Sequence, residues 1–273
     1  MRITILGTAA WEGIPALFCD CPTCVHARAN GGRNIRKRTA ALINNDLLID
    51  FGPDLSASAQ QYRISLSRVE TLLVTHAHED HWQPTTVVPR LPDFCPTTPA
   101  PLNIYGPGPV TGSLRRNKRW AKVKELARVD LRAVRAGQSW YTGKYRVTAV
   151  PANHAGSQAA LLYIVDDGES KLFYATDTGP LSSSAWRILV REASYNAVLM
   201  DETMGNANSP EHQGMRTFLE DRSRLYADDM MADEAKFVAL HFSHQSNPPH
   251  DDLVTYFEPY GVVVAYDGME LEI

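Results

Sequence analysis

VETLLVTHAHEDHW, residues 69–82, decides how this chain is read. Its first half is an apolar run that reads as a buried strand, and its second half places His76, His78, Glu79, Asp80 and His81 within six positions. Alternate residues leaving a strand project to one side, so His76 and His78 can share one cation. Asp80 and His81, around the following turn, can address a second. A solvated turn has no use for four donors in an H-x-H-x-D-H array.

Four donors cannot saturate two ions, so further ligands must come from elsewhere. His154 follows YRVTAVPAN, Asp177 follows KLFYAT and His241 follows AKFVAL. Each is a donor delivered by the end of an apolar run. Singly, Asp177 could be a turn former beside Thr178 and Gly179, and His154 or His241 a core histidine. Together they suit a site built along one edge of a sheet. A second constellation is CDCPTC, where Cys19, Cys21 and Cys24 lie too close together to be natural disulfide partners, which points to thiolate metal ligation. CPTC alone invites a redox reading, but it does not sit on a βα turn of thioredoxin type. Cys95 stands alone, as a loop or core residue.

The rest of the chain is consistent with a globular fold around these groups. Its 273 residues are 44% hydrophobic and 21% charged, with a net charge of −4, which leaves no global footprint for nucleic acid or membrane. MRITILGTAAW reads as a strand ending in a turn and lacks the apolar stretch of a signal peptide. No window approaches the roughly 18 apolar residues of a membrane span. A cytoplasmic protein is expected. Strands are expected at 2–6, 40–43, 47–50, 71–75, 102–105, 145–150, 160–165, 171–175, 197–200, 236–239 and 261–266. Helices are expected at 66–70, 112–126, 183–193, 212–225 and 250–257. Most strands lead into charged or glycine-rich loops and not into a helix, which favours two packed sheets with helices outside over a strict βαβ series. With no repeat and no linker beyond the short Pro-rich loop 89–101, one domain spanning 1–273 is expected.

THAHEDH, ANH, ATDTG and LHFSH, in this order, resemble the metallo-β-lactamase superfamily. The opening LGTAAWEGIPALFCDCPTC, the stretch SPEH and the ending LHFSHQ…VVVAYDGMELEI are similar to its PhnP-type subgroup, the phosphodiesterases of the carbon–phosphorus lyase pathway. The resemblance implies an α/β fold, an αββα sandwich of two mixed sheets with outer helices and a dinuclear metal site at one edge. It implies one divalent ion, zinc or manganese, on His76, His78 and His154, and a second on Asp80, His81 and His241, with Asp177 bridging. Such a pair can clamp a phosphoryl group and lower a bridging water's pKa to around 7, arming it to attack phosphorus. Asp80 and His212 are expected to be the catalytic residues proper, His212 binding phosphate or protonating the leaving alkoxide. His244 is implied as fourth ligand of a structural zinc on Cys19, Cys21 and Cys24, and Asp50 as an orienting residue behind the ligands.

The activity implied is hydrolysis of a small cyclic or nucleotide-like phosphodiester, phosphoribosyl 1,2-cyclic phosphate being one option. The expected partners are that substrate and, as a compatible assembly, a second copy of the chain; neither membrane nor nucleic acid is expected. Two alternatives share the fold: a nuclease of the transfer-RNA-processing kind, whose RNA-gripping arm has no counterpart here, and a non-hydrolytic PqqB-like protein. The latter keeps the cysteine zinc and loses dinuclear ligands that this chain retains. Trp82 and Pro84 depart from the small or aliphatic residues usual after the histidine cluster and are expected to shape the pocket. The basic stretches GRNIRKR (32–38) and LRRNKRWAKVK (114–124) could meet substrate anions; the second is a solvated face by default, or an anion contact if it overhangs the metal edge. His250 is expected to cap a helix or lie exposed.

Overall fold

The structure, a computed structural model, describes residues 1–115, 124–154, 156 and 159–273. Its strands form two seven-stranded sheets. The first contains β1 (Arg2–Gly7), β2 (Ala40–Ile43), β3 (Leu47–Ile49), β4 (Thr71–Leu73), β5 (Leu102–Gly106) and β6 (Val129–Ala133) in sequence order, with β14 (Glu270–Glu272) outside β1. The second runs from β7 (Ser139–Thr142) through β8 (Tyr145–Pro151), β9 (Leu161–Asp166), β10 (Lys171–Ala175), β11 (Tyr195–Asp201) and β12 (Met231–Leu240) to β13 (Val262–Val264). Both are mixed: pairing is antiparallel from β14 to β3 and parallel from β3 to β6, then antiparallel from β7 to β10 and parallel from β10 to β13.

The two-residue period of a strand sorts the side chains into layers. Ile3 and Ile5, Ala41 and Ile43, Leu47 and Ile49, and Leu73 face the second sheet and share its core. Their neighbours Leu42, Leu48, Leu72 and Val74 point outward and pack with Leu55 of helix α2 (Leu55–Gln61) and with Val110 and Leu114 of α3 (Gly108–Arg115). In the second sheet, Ala197–Met200 of β11 and Phe237–Leu240 of β12 read as continuous apolar runs because both faces are covered there. The first sheet covers one face; α4 (Ser183–Glu192), α5 (Met215–Ala227) and α6 (His250–Phe257) cover the other through residues such as Leu189, Phe218 and Phe257. The expected αββα sandwich is the observed one.

Several local expectations change. Residues 66–70 form a turn, not a helix: five residues cannot nucleate one, and Val69 is committed to the core ahead of β4. The segment 212–214 lies outside α5, so His212 sits on a loop. The strand at 261–266 shortens to β13. Of the helix expected at 112–126 and the basic stretch 114–124, residues 116–123 lie outside the described residues. Strands β6, β7 and β14 and helices α1 (Pro22–Asn30) and α2 are additions. α1 carried its own signals, Pro22 at its first position and Gly31 just past its end.

Trp82 is also corrected. Its ring is 2% exposed, packs in the outer cluster beside Phe51 and donates from Nε1 to Ser113 Oγ at 2.8 Å. It braces α3 and does not line the metal-edge cavity, and neither does Pro84. Trp82→Ala is therefore expected to lower unfolding free energy by about 3–5 kcal/mol in urea titrations. A loss under about 1 kcal/mol would contradict a core role.

Candidate metal centre

The parallel strands β3, β4, β10, β11 and β12 end on the same edge of the sandwich, and each releases polar residues there. Asp50 follows β3, His76–His81 follow β4, Asp177 follows β10, Asp201 closes β11 and His241 follows β12. Three of these have left-handed backbone: φ is 65° at Asp50, 58° at Asp177 and 66° at His241. Non-glycine residues adopt this region at a cost, and such strain concentrates at functional sites. The loop bearing the histidines is pinned by backbone bonds from Phe51 N to His81 O (2.7 Å) and from Trp82 N to His78 O (2.8 Å). Gly52 allows that approach, since a Cβ there would meet Asp80 O at 2.0 Å.

The side chains converge on two points. His78 Nδ1 lies 2.8 Å from His76 Nε2 and 3.3 Å from His154 Nε2, and Asp177 Oδ2 is 3.2 Å from His76 Nε2. Nearby, His81 Nε2 lies 3.1 Å from Asp80 Oδ2, 3.3 Å from His241 Nε2 and 3.2 Å from Asp177 Oδ2. Donors held about 2.0–2.1 Å from one ion lie about 2.9 Å apart in an octahedral shell and about 3.3 Å apart in a tetrahedral one. These spacings are thus the edges of ion-sized polyhedra. Asp177 Oδ2 belongs to both, as a bridging oxygen would. Asp80 Oδ1 and Asp177 Oδ1 are buried without a hydrogen-bond partner, which a bound cation would resolve. The expected donors His76, His78, His154, Asp80, His81, His241 and Asp177 all lie within these two clusters, and they fit divalent ions.

Behind the donors lies a layer that orients them. Asp50 Oδ2 contacts His81 Nδ1 at 2.7 Å, while its Oδ1 accepts from Thr75 N and Oγ1. Thr75 Oγ1 is 3.0 Å from His76 Nδ1. Thr203 Oγ1 approaches His241 Nδ1 at 2.8 Å, with Asp201 Oδ2 at 3.4 Å. Asp201, fully buried, is the counterpart of Asp50 on the other sheet. It escaped the sequence reading although VLMD at the end of β11 has the same form as LLID at β3. Glu211 O lies 3.3 Å from His154 Nδ1.

These neighbours set the charges. Burial opposes ionisation of Asp80, but His81 and His241 outweigh it and hold the carboxyl at about 2. Asp177 is likewise held below the usual range, by His241, His212, His76 and His81 against its burial. Burial pushes His76 down, and His154 down to about 4, so both are neutral and ready to ligate. His81 and His241 are raised against the pull of burial by Asp80, Asp50, Asp177 and Asp201.

His212 stands on the cavity wall, its Nδ1 3.0 Å from Asp177 Oδ1 and 3.8 Å from Asp201 Oδ2. The shorter approach is out of line, and Nδ1 makes no hydrogen bond. Burial disfavours its charge, yet Asp177 and Asp201 raise it to about 10. Gly179 brings this loop against Asp177, because a Cβ there would meet Pro210 O at 2.2 Å. The cavity is about 520 Å³ and is lined also by Trp11, Glu12, Glu79, Met204, Ser243 and Gln245.

The second constellation also assembles. Cys19, Cys21, Cys24 and His244 bring their donor atoms within 4.8 Å of one another, with His244 Nδ1 3.4 Å from Cys21 Sγ. Sulfur and nitrogen donors on a tetrahedral zinc lie about 3.6 Å apart. Burial raises the Cys21 thiol, but backbone at Cys24 and the His244 ring bring it down to about 7; burial pushes Cys24 up to about 11. All four cysteines are free. The stretch 32–38 does not face the cavity. Arg36 is buried, bonded to Thr8 Oγ1 and Ala265 O and 2.9 Å from His250 Nδ1; Lys37 pairs with Asp267 and Arg38 with Asp54. His250, expected to be a cap or surface residue, is thereby a buried partner of Arg36, pushed to about 4 by burial and by Arg36 and Arg33.

An αββα sandwich carrying paired His/Asp clusters along one sheet edge defines a metal-binding protein of the metallo-β-lactamase kind. The chain belongs to the Beta-lactamase superfamily domain family, whose profile matches residues 45–242. It is 22% identical over the full length of both chains to coenzyme PQQ synthesis protein B of Acinetobacter baumannii. An 85-residue stretch, 30% of this chain but 16% of the relative, is 33% identical to an octanoyltransferase of Porphyromonas gingivalis. Among solved structures, a diphosphatase of the PhnP family superposes with a TM-score of 0.74 at 22% identity, covering 100% of this chain and 98% of that one. Zinc-bound PqqB from Methylobacterium extorquens gives 0.77 at 19% identity, covering 100% of both. No described helix is long and apolar enough to cross a membrane.

A histidine ligand must be neutral, so ion binding to the Asp80–His81–His241 cluster displaces protons from the raised His81 and His241. Titration of zinc into protein whose cysteine cluster is already filled should give a heat with a component that scales with the buffer's ionisation enthalpy and that shrinks as pH rises. A buffer-independent heat at pH 7 would contradict these raised histidines.

Proposed function

We propose that the chain is a dinuclear metal-dependent phosphodiesterase acting on a small cyclic or nucleotide-like diester. The observation that carries this reading is the single carboxylate oxygen, Asp177 Oδ2, placed 3.2 Å from a histidine of each cluster. Two divalent ions there, zinc or manganese, would offset charge on phosphoryl oxygens and acidify a water between them.

The chain's own residues do the rest. His76, His78, His154 and Asp177 would hold one ion, and Asp80, His81, His241 and Asp177 the other. Asp50 and the Asp201–Thr203 pair fix the rings of His81 and His241, so the donors need no rearrangement when substrate binds. His212 turns Nδ1 to the two carboxylates and leaves Nε2 for the substrate. Held protonated, it binds a non-bridging oxygen or delivers a proton to the departing alkoxide. The likeness to a PhnP-family diphosphatase supports phosphate-ester chemistry. A second reading, a part in coenzyme PQQ synthesis, is favoured by the full-length likeness to PqqB. Hydrolysis separates them.

Protein loaded with zinc or manganese should hydrolyse bis(p-nitrophenyl) phosphate, and a panel of 1,2- and 2′,3′-cyclic phosphates, linear diesters and RNA should identify the preferred class. Asp80→Ala or His78→Ala should abolish turnover with the circular dichroism spectrum unchanged; retained turnover would overturn the assignment. His212→Ala should lower kcat by about 10²–10⁴-fold and remove the alkaline limb of the pH profile. No diester hydrolysis with both clusters loaded would favour the second reading.

A further inference from the structure

The segment His241–His244 serves both constellations, and one side chain from the opposite end of the chain sits between them. The stretch after β1 runs alongside this segment: Phe242 N donates to Thr8 O at 2.8 Å and Ala10 N to Phe242 O at 2.9 Å. Arg38 Nε holds the next turn through Trp11 O at 2.8 Å. This delivers Glu12 to the junction. Its Oε1 accepts from Ser243 Oγ at 2.5 Å and lies 3.4 Å from His244 Nε2. Ser243 Oγ also accepts from Gln245 N at 3.2 Å. Glu12, Ser243 and Gln245 together form one wall of the cavity that His212 lines.

We propose that Glu12 is a positioning residue that fixes His244 for an ion on Cys19, Cys21 and Cys24 and, through Ser243, ties that site to the cavity wall. The geometry divides the His244 ring between two tasks. Nδ1 faces Cys21 Sγ at 3.4 Å, and Nε2 faces the carboxylate. A carboxylate facing the far nitrogen favours the tautomer that keeps the proton on Nε2, which leaves Nδ1 a lone pair for the ion and raises its basicity. The same oxygen holds the Ser243 hydroxyl, and Ser243 lies between His241 and His244. Movement of Glu12 therefore disturbs the anchoring of both histidines' segment. The cysteine loop and the cavity wall are one mechanical unit.

The test is metal release from the zinc-loaded protein into a chromophoric chelator, read with the thiolate-to-cobalt absorption bands of the cobalt-substituted form. In Glu12→Ala, the ion at the cysteines is expected to leave about 10–100-fold faster and its cobalt bands to shift. Glu12→Gln, whose side-chain oxygen keeps the same approach to Nε2, should stay near wild type. Ser243→Ala, which removes only the hydroxyl, should accelerate release by a smaller factor and serves if Glu12→Ala fails to fold. Wild-type release from both Glu12→Ala and Ser243→Ala would overturn the proposal. So would a chain whose cysteines bind no ion, or a Glu12→Ala variant altered only in KM for a phosphodiester, which would make Glu12 a substrate contact instead.

Discussion

Five histidines, His76, His81, His154, His212 and His241, come within 3.9 Å of the Asp177 carboxylate, which is itself almost wholly buried. A concentration of polar groups like this opposes folding, because each is stripped of water and few apolar contacts compensate. It persists because the sandwich around it is rigid. The buried apolar halves of β11 and β12, Ala197–Met200 and Phe237–Leu240, hold the strand ends in register, and left-handed residues at strand ends turn their side chains inward. The site is a feature of the strand termini; the core keeps those termini in place.

The same logic explains the doubled arrangement. Asp50 behind His81 and Asp201 behind His241 are strand-end carboxylates from opposite sheets, each facing the Nδ1 of a ring whose Nε2 points into the cluster. Orientation is thus supplied symmetrically from the two halves of the sandwich. The cysteine cluster meets His244 where the segment after β1 lies against the segment after β12. Those two segments also build one wall of the cavity, so the two clusters share backbone.

Most of the candidate metal centre was legible in the sequence because its donors are chemically specific and fall at the ends of apolar runs. His76 through His81 announce themselves by spacing alone. His154, Asp177 and His241 gain meaning only jointly, from their places after strands. Asp201 and Glu12 were not legible: a lone Asp after an apolar run, or a lone Glu in a loop, has many roles, and only three-dimensional contact with a histidine ring distinguishes these. Trp82 misled for the opposite reason. It follows the motif directly, but the chain reverses after His81, which sends the indole into the outer helix layer. Arg36 and His250 read as surface residues because their burial is mutual and long-range. The sheets were legible as apolar runs closed by turn residues, whereas the edge strands β7 and β14 are largely exposed and carry no such run.

The metal-centre account is tested most directly by anomalous diffraction from crystals grown with zinc, collected on both sides of the zinc absorption edge. It predicts two peaks flanking the Asp177 carboxylate, one among His76, His78 and His154 and one among Asp80, His81 and His241, with a third among Cys19, Cys21, Cys24 and His244. A single peak at the cysteines, with none beside Asp177, would contradict it.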